Sequence, residues 1–157
     1  MDVNISITRG ESFALKVAVD SIQKLPADKF KMSPRNWMNL SKSIKKIVDL
    51  NIETEATRKS LALKLEEELK GVDPKEDGAE EKKRRIHESY NDQFLNYQNE
   101  EVKLRVSKIM MNEIHGDIPP AQNLTLFFNY LVLEAGDEKS DVYEHPEEEA
   151  DKEAAEA

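Results

Sequence analysis

Two stretches of alternating residues, separated by a long helix-patterned middle, constrain this chain more than any other feature. Val3, Ile5 and Ile7 alternate with Asn4, Ser6 and Thr8, and Val102, Leu104 and Val106 alternate with Lys103, Arg105 and Ser107. Period two marks a strand with one face buried. Two short strands are marginal on their own, so these are predicted to pair with each other, with a helix packed on their apolar face.

Everything between them reads at spacing three and four. Thr8-Arg9-Gly10-Glu11 has capping-box spacing, with the Thr8 hydroxyl accepting from the Glu11 amide and the Glu11 carboxylate reaching back. The helix it opens carries Ala14, Leu15, Ala18, Ile22 and Leu25 on one stripe and ends before Pro26. Ser33-Pro34 opens a second helix, with Trp37, Leu40, Ile44, Ile47 and Val48 on one face. The pattern blurs at Leu50-Asn51-Ile52 and resumes with Ala56, Leu61, Leu65 and Leu69, which predicts one long helix over about 34–70, straight or bent near Asn51 to Thr54 and capped by Gly71. After a polar turn, Ile86, Tyr90, Phe94 and Tyr97 predict a second long helix over about 80–98.

Ile109 to Ile114 reads as a short helix, a strand continuation or a third strand, and Gly116-Asp117 with Pro119-Pro120 as a loop. Leu124, Phe127, Phe128, Leu131 and Val132 then fall at i, i+3, i+4, i+7 and i+8, a last helix that Gly136 ends. The predicted fold is α+β and mainly helical. A long antiparallel helical hairpin accompanies a small two- or three-stranded sheet in a single domain over 1–135, followed by a disordered acidic tail over 136–157.

Charge divides along the same lines. The 157 residues carry 23 Lys and Arg against 32 Asp and Glu, a net of −9. Residues 134–157 alone hold eleven acidic and two basic residues, so the rest of the chain is neutral overall. Residues 9–46 hold nine basic and three acidic residues, a net of +6. The start of the chain has neither a basic cluster nor a long apolar run, and Leu124 to Leu133 is far short of a membrane span. These features predict a soluble cytoplasmic protein without a membrane partner.

No residue pattern names a reaction. The chain has no cysteine, which excludes a disulfide scaffold, a thiolate-bound metal and a thiol nucleophile. Its five glycines are scattered, so no phosphate-cradling loop forms, and there is no G-x-S-x-G elbow. Glu113, His115 and Asp117 alternate and could aim at one cation, but such a trio is common in a polar turn. His87 reads as a solvated helix residue, and His145 lies in the tail. The reading is therefore non-enzymatic, with no metal and no cofactor.

Two surfaces remain. The last helix is apolar around more than half its circumference, which points to a partner protein or self-association through Phe127, Phe128, Tyr130 and Leu131. Alternatively, Arg35, Lys42, Lys45 and Lys46 could neutralise phosphates while Trp37 stacks on a base, with the acidic tail screening the same residues.

The order of elements resembles an uncharacterised family of short phage and prophage proteins from phages of Gram-positive hosts. The resemblance spans roughly residues 2–134 and includes the strand opening at Asn99-Glu100-Glu101-Val102; the aromatic–acidic ending is altered, since Phe127-Phe128-Asn129-Tyr130 has no acids. It implies a phage-encoded accessory or assembly factor, or an inhibitor of a host component, sited in the host cytoplasm or the virion. It assigns no functional residue.

Overall fold

The chain is described by a computed structural model over residues 2–116 and 124–133. The loop expected around Asp117 to Pro120 and the tail expected at 136–157 lie outside the described residues. The fold is mainly helical α+β. Strand β1 (Asp2–Thr8) runs into helix α1 (Arg9–Gln23), followed by β2 (Phe30–Met32), α2 (Pro34–Lys70) and α3 (Ala79–Gln98). Strands β3 (Glu101–Ser107) and β4 (Ile109–Met110), a single 3-10 turn at Met111–Glu113, β5 (Ile114–Gly116), α4 (Leu124–Leu131) and β6 (Val132–Leu133) complete it.

The two alternating segments pair as their pattern requires. β1 and β3 are antiparallel, from Asp2 opposite Ser107 to Thr8 opposite Glu101. Ile5 and Ile7 face inward, against Leu15, Ala18, Val19 and Ile22 of α1 and Leu40, Ile47 and Leu50 of α2. Thr8 caps α1 by accepting from the Glu11 amide, and Ser33 caps α2 by accepting from the Asn36 amide. The Ser33 hydroxyl in turn donates to Glu113, which ties the start of α2 to the turn before β5.

Two further pairings were not expected. β2 pairs antiparallel with β5, and β4 pairs in parallel with β6, so three two-stranded ladders replace one small sheet. The last helix is also shorter than its periodicity suggests. It ends at Leu131, and Val132 and Leu133 become β6 because Ile109 and Met110 offer a free edge there.

The main surprise lies in α2. Its inward face carries Asn36, Asn39 and Ser43, all buried. Asn36 exchanges two hydrogen bonds with the Met110 backbone, accepting from its amide at 2.9 Å and donating to its carbonyl at 3.0 Å. Ser43 does the same with Ser107, at 2.9 and 2.8 Å, and Asn39 donates to the Lys108 carbonyl. These side chains take the place of a neighbouring strand, satisfying backbone groups of β3 and β4 that α2 would otherwise cover and strand unpaired.

Beyond Thr54, α2 leaves this core and continues as an arm paired with α3. Ala79 is the only residue of α3 that is fully buried. Thr57 donates to the Tyr97 hydroxyl and Tyr90 to Glu68, which sets α3 antiparallel to α2. The helix α2 runs unbroken past Asn51 to Thr54.

Candidate functional site

The four residues of the last helix expected to meet a partner do not form a surface. Phe127 and Leu131 are fully buried in the core, and Phe128 and Tyr130 are half-buried and packed against it. The wide apolar arc of α4 is used inside the domain, with Phe127 and Phe128 edge to face at 5.5 Å. Tyr130 donates to the Glu11 carboxylate, so that carboxylate is engaged by α4. The bond to Glu11, together with burial, pushes the Tyr130 hydroxyl from 10 up to about 12. A raised phenol pKa stabilises the fold fully below pH ~10, and this contribution is lost as pH climbs toward 12. Tyr130→Phe should therefore be about 1 kcal/mol less stable than wild type at pH 8, with the gap closing above pH 10 in urea melts.

The basic residues are likewise divided. Lys42, Lys45 and Lys46 of α2 line a hollow of about 360 Å³ together with Arg105 of β3, Asp2, Asp49 and Ser107. Arg35 is exposed at the start of α2, and Trp37 is half-buried with its ring edge-on to Phe30 at 6.5 Å. Neither belongs to the hollow, so the lysines are not joined by a stacking aromatic. Arg105 joins them instead, projecting from the polar face of the strand pattern. Its field is partly neutralised by Asp2 at 3.8 Å. The Ser107 hydroxyl donating to Asp2, and behind it the Arg105 guanidinium, hold that carboxyl below its ordinary range.

Among the described residues Arg9 is the one buried charge in the core, 6% exposed. Its guanidinium lies 4.3 Å from the centre of the Tyr97 ring and reaches Glu53 at 3.2 Å, Glu100 at 3.7 Å and the Thr54 hydroxyl. Its Nε has no partner among the described residues. Because it joins α1, α2, α3 and the residue before β3, its role is to lash the arm to the body.

Among the described residues, no three His, Cys, Asp or Glu side chains gather as a cation would need. Glu113 accepts from Ser33, His115 is exposed on β5, and Asp117 lies outside the described residues. No described helix is long and apolar enough to cross a membrane.

What the structure does bring together is an apolar groove between α1 and α2, about 550 Å³ in volume. Phe13 comes from α1, and Val48, Ile52 and Ala56 come from α2, with Lys16, Glu55 and Lys59 at the rim. Phe13 is 36% exposed and Ile52 63%. The groove exists because α2 is apolar on two sides. Ile47, Leu50 and Thr54 face the core, whereas Val48, Ile52 and Ala56 face the solvent beside α1. The blur at Leu50-Asn51-Ile52 was the trace of this second face in the sequence, and Phe13 stood outside the stripe assigned to α1. Asn51 fixes the spacing between the helices by donating to the Ser12 carbonyl and accepting from the Ser12 hydroxyl. Comparison with protein-family models, with curated proteins and with solved structures returns no match.

Proposed function

We propose that this chain is a non-enzymatic protein-binding module whose docking surface is the α1–α2 groove. The observation that carries the reading is Ile52, a large aliphatic side chain 63% exposed in a groove whose other apolar lining is Phe13, Val48 and Ala56. Apolar residues held together in a concave, charge-rimmed strip are what a partner's apolar face covers. An accessory role in a phage, at an assembly component or on a host protein, is the setting implied by the resemblance in element order.

A second reading rests on the basic hollow. Four cations against two carboxylates leave a local excess of positive charge suited to a phosphate chain. In that reading nucleic acid is the partner and the acidic residues beyond 134 screen the hollow.

One experiment separates the two. The tagged full chain is recovered from cells that produce it and compared with Ile52→Asp, Leu95→Asp and the double change of Lys42 and Lys46 to alanine. Burial of one isoleucine side chain is worth ~1.5–3 kcal/mol, so Ile52→Asp should lose a bound protein roughly 10- to 100-fold. Leu95→Asp, on exposed α3, should retain it. Recovery equal in wild type and Ile52→Asp sinks the groove. Nucleic acid that elutes with rising salt and disappears with the two lysines selects the second reading.

A further inference from the structure

We propose that the occupant of the groove is the exposed α2 stripe of a second copy of this chain, with the two α2 helices antiparallel about a two-fold axis passing between Glu55 and Ala56. This rests on the reading of the groove as a docking surface. At 100° per residue, Val48, Ile52, Ala56 and Leu63 fall within roughly 80° of one another. Lys45, Lys59 and Glu66 lie within the same arc. Thr57 and Glu68, which hold α3, lie on the opposite side of the helix. The exposed stripe thus extends past the groove to Leu63, itself 63% exposed.

The order along this stripe is complementary to its own reverse. Counted outward from the midpoint between Glu55 and Ala56, Ile52 stands opposite Lys59, Val48 opposite Leu63, and Lys45 opposite Glu66. An antiparallel second copy therefore sets Val48 against the partner's Leu63 and Lys45 against the partner's Glu66. The aliphatic stem of Lys59 covers the partner's Ile52, three residues or ~4.5 Å of helical rise from the partner's Glu55, so Lys59 and the partner's Glu55 carry opposite charges side by side. A parallel pairing would face Lys45 with lysine and Glu66 with glutamate, a repulsion at both ends. The antiparallel contact is self-complementary and closes on itself, as a two-fold interface must. Phe13 and Val17 of α1, exposed beside the groove, would flank the contact in both copies, and α1 and α2 of each copy would form a four-helix layer.

The absence of cysteine in the chain makes the test clean, because any thiol introduced is the only one. Each full-length variant carries its change at a half- or fully exposed position, so folding is preserved. Sedimentation over a dilution series should show a dimer for wild type and at least about tenfold weaker dimerisation for Ile52→Asp. Under mild oxidation Ala56→Cys should link to itself across the axis, and Leu95→Cys should not. Val48→Cys and Leu63→Cys should each link poorly alone and readily when mixed. A monomeric wild type, or a mixture that links no better than either component, overturns the pairing. If wild type is monomeric and Ile52→Asp still abolishes capture of another protein, the pairing falls and the groove stands as a docking surface. If wild type dimerises but Ile52→Asp alters neither dimerisation nor capture, both fall.

Discussion

Asn36→Leu should lower the unfolding free energy by roughly 2–5 kcal/mol, while Arg35→Leu at the neighbouring exposed position should change it by no more than about 0.5 kcal/mol. The side-chain amide of Asn36 bonds both the amide and the carbonyl of Met110, and the site is buried. Leucine fills a similar volume but leaves two backbone groups without hydrogen bonds, each worth ~1–3 kcal/mol once covered. The measurement is a pair of urea melts compared with wild type, in which the midpoint falls with little change in slope. A leucine variant as stable as wild type would show that water reaches the edge of β4, and that α2 is not standing in for a strand.

Phe127→Ala should be comparably damaging, at ~3–5 kcal/mol, because a fully buried phenyl ring is removed from the centre of the core. Thr125→Ala, exposed on the same helix, should stay within about 0.5 kcal/mol of wild type. The pair checks whether the aromatic helix belongs to the core or to an interface. A core role predicts loss of stability with docking at the groove preserved in the folded fraction. An interface role predicts the reverse, a stable monomer that has lost its partner. Against a total stability of ~5–15 kcal/mol for a domain of this size, either large change is readily measured.

The elements that local pattern dictates were legible in the sequence. Val3, Ile5 and Ile7 announced β1 by alternation, Thr8 and Ser33 announced the two helix starts by their hydroxyls, and Tyr90, Phe94 and Tyr97 announced the seam of the arm. What escaped was set by distant partners. Asn36, Asn39 and Ser43 are polar, and a polar residue on a helix reads as solvated unless the backbone it satisfies is known. β6 is two residues, too short for any period; a strand at 109–114 was one of the readings open there, but the edge that pairs β4 with β6 could not be read. The groove was hidden for a related reason. Val48 and Ile52 sit next to true core positions, so the core stripe absorbed Val48, and Ile52 only blurred it, although α2 carries two stripes. The helix α4 misled in the opposite sense, since a broad apolar arc describes a side chain's needs and says nothing about whether this domain or another meets them.

The pairing of Thr8 with Glu101 and of Asp2 with Ser107 bears on how the molecule is made. At ~5–20 residues per second, roughly 5–20 s of synthesis separate the first strand from its mate. The α2–α3 arm, built from neighbouring residues, closes in microseconds to milliseconds once extruded. During translation the arm is therefore finished while Val3, Ile5 and Ile7 still present an open, apolar ribbon to solvent. That ribbon is where a holdase would bind a nascent molecule, and where two chains on one message would stick together if none did.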